Sequence, residues 1–272
     1  MLNIARHSAV RLLELAQTCY YNTLRSAQGP ECDFLLVCHS KDYQNLNLVV
    51  ESIYRYSLNP VEKILVIGST REKPSTLPAN SDYIYEQALP PYEIVKKSSV
   101  NESKKGWILQ QLLKLYGHNL SARYVAIDCD TVLIKPHLFF TEDKTVLRLA
   151  YESPYVYAGI EKMLGISAFR HLSFVCHMMP FKADVMNDLV CHIQSRMNQH
   201  WLSALVDLAK SNNGLMSEYN IYARFMLMKD SRSATWRPWL NKTCVTADCS
   251  MHLSDISKKY RFRNSISMHI PH

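Results

Sequence analysis

Glycine is scarce, with seven in 272 residues. Neither G-x-G-x-x-G nor G-x-x-x-x-G-K-[ST] occurs, which removes both glycine-rich phosphate loops from consideration. No apolar run is long enough to span a bilayer, and the N-terminus lacks the apolar stretch of a signal peptide. The eight cysteines form no C-x-x-C pair. Cys38 and Cys176 sit in apolar runs, where a free thiol behaves as a small hydrophobe. A reduced, cytoplasmic protein is therefore expected rather than a disulfide scaffold. Basic residues are scattered, and no zinc-finger or RNP-type pattern appears, so nucleic acid is not an expected partner. There is no internal repeat and no low-complexity segment.

What is present suits a packed α/β protein. The chain is 47% hydrophobic and 20% charged, a composition that supports a globular core. Its formal charge of +7 suits an anionic ligand or an anionic membrane surface. Residues 1–30 read as a basic amphipathic helix, with Arg6, Arg11 and Arg25 against Ile4, Val10, Leu12, Leu13 and Leu15. It either caps the core or lies peripherally on the inner face of a membrane. Asp33 to Cys38, a helical segment over 45–57, and Val61 to Ile67 form a β-α-β unit, which implies parallel strands. Tyr83 to Tyr85 is a short strand, and the stretch from Leu89-Pro-Pro91 through Lys97 reads as irregular. Ser99-Val-Asn-Glu102 has the capping-box pattern and opens a helix through Tyr116, with Trp107, Leu112 and Leu115 on one face. Gln110 and Gln111 are either plain surface amides or an amide row aimed at a pocket. Residues 144–150 and 173–181 read as strands, the second containing His177. Residues 184–197, 201–210 and 217–227 read as helices, the last capped by Ser217.

The informative stretch is Arg123-Tyr-Val-Ala-Ile-Asp-Cys-Asp-Thr-Val-Leu-Ile-Lys-Pro136. A short apolar strand ends on Asp128 and Asp130, which alternate and so point to one side of an extended chain. Carboxylates just beyond a strand end can share a hard cation such as Mg²⁺ or Mn²⁺, with water and phosphate oxygens completing its shell.

Two families space acids in this way. Asp128-Cys-Asp-Thr-Val132 resembles the motif of haloacid-dehalogenase-like phosphatases, which would make Asp128 a nucleophile and Asp130 an acid/base. In that family the motif sits on the first strand and the chain then loops away. Here at least two strands precede it, and the chain stays apolar to Ile134. The wider set resembles GT-A glycosyltransferases. It comprises Asp128-Cys-Asp130 with the following Lys-Pro-His-Leu-Phe, Gly106 to Leu115 upstream, Phe174 to Phe181, and Ser217-Glu-Tyr-Asn-Ile-Tyr222. Together these are similar to a bacterial glycosyltransferase-like family.

The resemblance implies a single GT-A-like domain over 31–272, with a Rossmann-like, mostly parallel sheet flanked by helices. Its nucleotide-binding half would be about 31–135 and its acceptor half about 136–272. It implies metal-dependent transfer of a sugar from a nucleotide-sugar, a UDP-sugar by first choice, to a glycan or lipid-linked acceptor in bacterial surface polysaccharide synthesis. Asp128 and Asp130 would hold Mn²⁺ or Mg²⁺ and the diphosphate. His39, Lys41 and Ser69 would meet base and ribose. Lys105 (or Lys104) and Gln111 would reach phosphates or sugar. Glu218 is either the base that deprotonates the acceptor or a first-turn acid favoured by the helix dipole. His177 is either an acceptor contact or a core histidine. His269, preferred over His252 and His272, would be a third metal ligand on a last strand around Ile266-Ser-Met268. A GT-A module that binds a glycan or partner without catalysis is the non-enzymatic alternative.

Overall fold

The computed structural model describes residues 29–150, 157–166, 172–212, 216–245, 252–260 and 263–269. The helix expected over 1–30 lies outside the described residues except for its last two positions.

Strand β1 (Cys32–Cys38) is buried along its whole length. It is followed by a short 3-10 turn and helix α1 (Leu46–Tyr56), whose Leu46, Val49, Val50 and Ile53 face inward. Strand β2 (Val61–Gly68) then pairs with β1 in parallel, from Phe34 beside Ile64 to Cys38 beside Gly68. The β-α-β unit read from the sequence is thus present. β3 (Ser81–Tyr85) adds a parallel edge strand. Residues 90–97, expected to be irregular, instead form helix α2 (Pro90–Lys97). Pro90 and Pro91 occupy the first two positions of that helix, where a missing N–H costs nothing, so here the pair starts a helix rather than breaking one.

Helix α3 (Glu102–Tyr116) is capped by Asn101, whose side chain accepts from the Ser103 amide, rather than by Ser99 as the capping-box pattern predicted. Its buried stripe is Ile108, Leu109, Leu112, Leu113 and Leu115, while Trp107 is 38% exposed and does not line the core as expected. Next comes β4 (Arg123–Asp128), parallel to β1. β5 (Thr131–Leu133) and β6 (Thr145–Leu149) follow, then helix α4 (Tyr157–Leu164).

β7 (Met178–Lys182) runs antiparallel beside β4. It starts after His177 rather than containing it. Helices α5 (Ala183–Met197), α6 (Trp201–Ser211) and α7 (Glu218–Lys229) follow, and Ser217 caps α7 by accepting from the Asn220 amide. The C-terminal part carries β8 (Ala234–Pro238), β9 (Asn241–Val245), α8 (Leu253–Lys259) and β10 (Ser265–His269).

The central sheet has the order β3-β2-β1-β4-β7, parallel except for β7. Smaller sheets, β5-β10-β9 and β6-β8, lie beyond it. Strand alternation splits the core into two layers. Leu35, Val37, Tyr124 and Ala126 pack with α3, α5, α6 and α7 on one face. Phe34, Leu36, Val125 and Ile127 pack with α1, α8, β5 and β10 on the other. The expected α/β fold, a mostly parallel sheet flanked by helices, is observed. No helix among the described residues is long and apolar enough to cross a membrane.

Candidate active site

Period-two alternation decides what Asp128 meets. Tyr124 and Ala126 face the α3–α7 layer, and Asp128, two residues further on, faces the same way. There it finds Lys114, a lysine within the apolar stripe of α3. Lys114 Nζ donates to Asp128 Oδ1 at 2.5 Å and to Glu218 Oε1 at 2.9 Å. The Lys114 and Glu218 side chains are 3% and 2% exposed, whereas Asp128 is 21% exposed. The ammonium also lies 4.8 Å from the centre of the Tyr219 ring, a cation–π contact. The Tyr219 hydroxyl donates to Asp128 Oδ1 at 3.4 Å. On the preceding turn of α3, the Gln111 amide lies against the Glu218 carboxylate, and its nitrogen is assigned to that side because there it can donate to Glu218.

The other side of Asp128 is different. Its Oδ2 faces His177 Nδ1 at 3.1 Å. His177 adopts φ 58, a left-handed conformation uncommon for a residue with a Cβ. That turn brings its carbonyl to the Asp128 amide at 2.9 Å and its Nδ1 to the carboxylate. Asp128, Asp130 and His177 each offer one ligand atom, all within 4.8 Å of one another. Asp130 is held from behind: its carbonyl accepts from the Met268 amide at 2.8 Å, and the Thr131 hydroxyl donates to its Oδ1 at 3.3 Å. Met268 belongs to β10, which pairs antiparallel with β5. The last strand therefore does return to the acids, as Ile266-Ser-Met268 suggested. The side chain of His269 lies outside the described residues.

Electrostatics follow from this arrangement. Burial opposes ionisation of Asp128, but Lys114 and His177 outweigh it and hold the carboxyl well below its usual range. Burial likewise opposes the charge on Lys114, yet Asp128 and Glu218 keep it firmly protonated. Glu218 is pushed upward, first by burial and then by the Asp128 charge, with Lys114 acting against both. His177 is pulled down by burial and raised more strongly by Asp128 and Asp130.

The remaining residues named from sequence divide into two groups. Val37 lies beside Asp128 and Cys38 beside Gly68, so His39, Lys41 and Ser69 leave the sheet along the same edge as the acids. His39 Nδ1 accepts from the Lys41 amide at 3.4 Å, and Ser69 Oγ accepts from the Ser40 amide at 2.9 Å. Lys105 is drawn elsewhere, to Glu102 Oε1 at 2.6 Å and the Lys96 carbonyl at 3.0 Å. It lies nine residues from Lys114 along the helix, on the order of 13 Å. Of the two glutamines, Gln111 is buried against Glu218 and Gln110 reaches the Val37 carbonyl at 3.4 Å.

Glu218 faces Lys114 and Gln111 rather than an open surface, so its carboxylate is already engaged. Lys114 and Tyr219 are the site residues that sequence reasoning missed. The signal for Lys114 was present: a lone lysine between leucines, one turn after Gln111, on a face otherwise apolar.

No protein-family model matches the sequence, and a search of curated proteins gives no match. Among solved structures, the chain is similar to the apo form of mouse xyloside xylosyltransferase 1, with 13% identity and a TM-score of 0.47, covering 87% of this chain and 97% of that one. It is similar to the apo form of WbbM, a bifunctional glycosyltransferase, with 10% identity and a TM-score of 0.46, over 87% of this chain and 45% of that one. A third similar structure is the galactosyltransferase LgtC in complex with donor and acceptor sugar analogues, with 8% identity and a TM-score of 0.46, over 87% and 86%. At such identities the roles of the site residues rest on their own geometry.

Proposed function

We propose that the protein is a metal-dependent glycosyltransferase of GT-A type, moving a sugar from a nucleotide-sugar, a UDP-sugar by first choice, to a glycan or lipid-linked acceptor. Bacterial surface polysaccharide synthesis is the setting proposed with it. One observation carries the reading: two carboxylates and an imidazole converge at the carboxyl edge of parallel strands, after a β-α-β half. Ligands of such sheets gather beyond that edge.

The donor set suits a hard or borderline dication. The two carboxylate oxygens suit Mn²⁺ or Mg²⁺, and the imidazole nitrogen weighs toward the transition metal Mn²⁺. The 3.1 Å between Asp128 Oδ2 and His177 Nδ1 is close to the roughly 3 Å expected of adjacent ligands with bonds of about 2.1 Å. In this reading Asp128, Asp130 and His177 hold the ion, so His177 takes the third position that the sequence assigned to His269. A bound dication supplies Lewis-acid stabilisation of the departing diphosphate. His39, Lys41 and Ser69, on the same edge, take base and ribose. The half up to about residue 135 binds the nucleotide, and the remainder binds the acceptor.

The phosphatase alternative asks Asp128 to attack with a free oxygen. Its Oδ1 is held by Lys114 and Tyr219, at least two strands precede the motif, and the chain enters β5 directly after Asp130 instead of looping away.

The test is release of nucleoside diphosphate from a panel of UDP-, GDP- and CMP-linked sugars (nucleoside monophosphate for the last), with and without Mn²⁺. Mn²⁺-dependent release from at least one donor is expected. No release from any donor, alongside hydrolysis of a small phosphomonoester, would move the assignment to the phosphatase class.

A further inference from the structure

Lys114 sets a problem for a cation site. It places a fixed ammonium 2.5 Å from one of the carboxylates that must attract the metal. Left alone, that ammonium would neutralise Asp128. It is not left alone, because Glu218 lies 2.9 Å from the same nitrogen on the far side, and Gln111 donates to the Glu218 carboxylate.

We propose that Glu218 is a positioning residue for the metal site, sharing the Lys114 ammonium with Asp128 so that the ammonium does not cancel the negative field of the acids and Asp128 presents Oδ2 toward Asp130 and His177. The inference rests on the metal-dependent reading given above, and it replaces the role of acceptor base for Glu218. Asp128 and Glu218 share one ammonium, which leaves one net negative charge beside Asp130 where Lys114 and Asp128 alone would leave none. An uncharged residue at position 218 leaves none. Asp128 is oriented by the same contacts: Lys114 and Tyr219 fix Oδ1, so Oδ2 is the oxygen that points outward. Partners of this kind, which touch a ligand rather than the metal, orient the ligand and tune its affinity.

The experiment is titration of Mn²⁺ alone, without nucleotide, into the full chain, comparing wild type with Glu218→Gln, Glu218→Asp and the double variant Lys114→Met/Glu218→Gln. Melting temperatures are measured in parallel. Removing one nearby charge weakens Mn²⁺ affinity roughly tenfold in Glu218→Gln. Glu218→Asp, which keeps the charge, stays within about threefold of wild type, and the double variant, which restores the charge surplus, recovers most of the loss. Glu218→Gln affinity equal to wild type, or a double variant as weak as Glu218→Gln, overturns the proposal even where melting temperatures fall. A wild-type chain that takes up no Mn²⁺ overturns the proposed function and this inference with it.

Discussion

Lys114 and Asp128 lie fourteen residues apart in sequence and 2.5 Å apart in space, joined across the turn from α3 to β4. The contact exists because α3 and β4 bury side chains in the same layer. α3 sends Ile108, Leu112 and Leu115 toward the sheet face that carries Tyr124 and Ala126, and the Tyr124 hydroxyl donates to the Lys114 carbonyl at 2.8 Å. Lys114 is thereby fixed against the end of β4, where the acids begin.

Removing that lysine should be costly. Lys114→Met leaves Asp128 and Glu218 facing each other without a cation, and breaking a buried pair on one side costs about 3–5 kcal/mol. Urea unfolding should show a loss of that order, with Lys114→Arg losing less. A midpoint unchanged in Lys114→Met would mean that the buried charges are not paired as described.

Acid should destabilise the protein through His137. This ring is buried, stacked on Phe139 with centroids 5.7 Å apart, and Nε2 lies 3.1 Å from the Asn264 carbonyl. Burial, and then the Arg148 charge, push its pKa from the ordinary 6.5 down to about 3. The native ring stays neutral while the unfolded one takes up a proton below pH 6.5, so the unfolded state binds more protons and stability falls with pH in that window. The contribution is fully present above pH 6.5 and should fall by roughly 2 kcal/mol by pH 5, at about 1.36 kcal/mol per pH unit. Comparing unfolding of wild type and His137→Gln at pH 7 and pH 5 isolates the effect. Equal pH sensitivity in the two proteins would contradict it.

Asn59 holds the other edge of the sheet to the segment after β5. Its Nδ2 donates to the Pro30 and Phe140 carbonyls at 2.8 and 2.9 Å, and its Oδ1 accepts from the Phe139 and Phe140 amides at 2.7 and 3.2 Å. Asn59→Ala leaves buried backbone groups without partners, each costing about 1–3 kcal/mol. A total loss of roughly 3 kcal/mol or more is expected in chemical denaturation. A loss below about 1 kcal/mol would show that water replaces the side chain.

The β-α-β half was legible because its strands are continuous apolar runs and α1 repeats its buried residues at helical spacing. The acids were legible because they end such a run. Helix α2 was not, since Pro90-Pro91 can either stop a helix or start one, and sequence alone does not say which. The C-terminal strands were mostly invisible. β10 buries Ser265 and Ser267 as fully as Ile266 and Met268, so alternation there carries no information about which side is wet. The pairing of Lys114 with Glu218 was not legible because each fits an ordinary local role, a late-helix cation and a first-turn acid. Only the tertiary packing shows that each exists for the other.

The central claim is that Asp128, Asp130 and His177 form a metal site that serves a nucleotide. Its most direct test is calorimetric titration of UDP into wild type and Asp130→Asn, each with and without Mn²⁺, with GDP and CMP as comparisons. The account predicts nucleotide binding by wild type that requires Mn²⁺, weakened at least tenfold in Asp130→Asn. Binding that ignores Mn²⁺, or no binding of any of the three nucleotides, would contradict it.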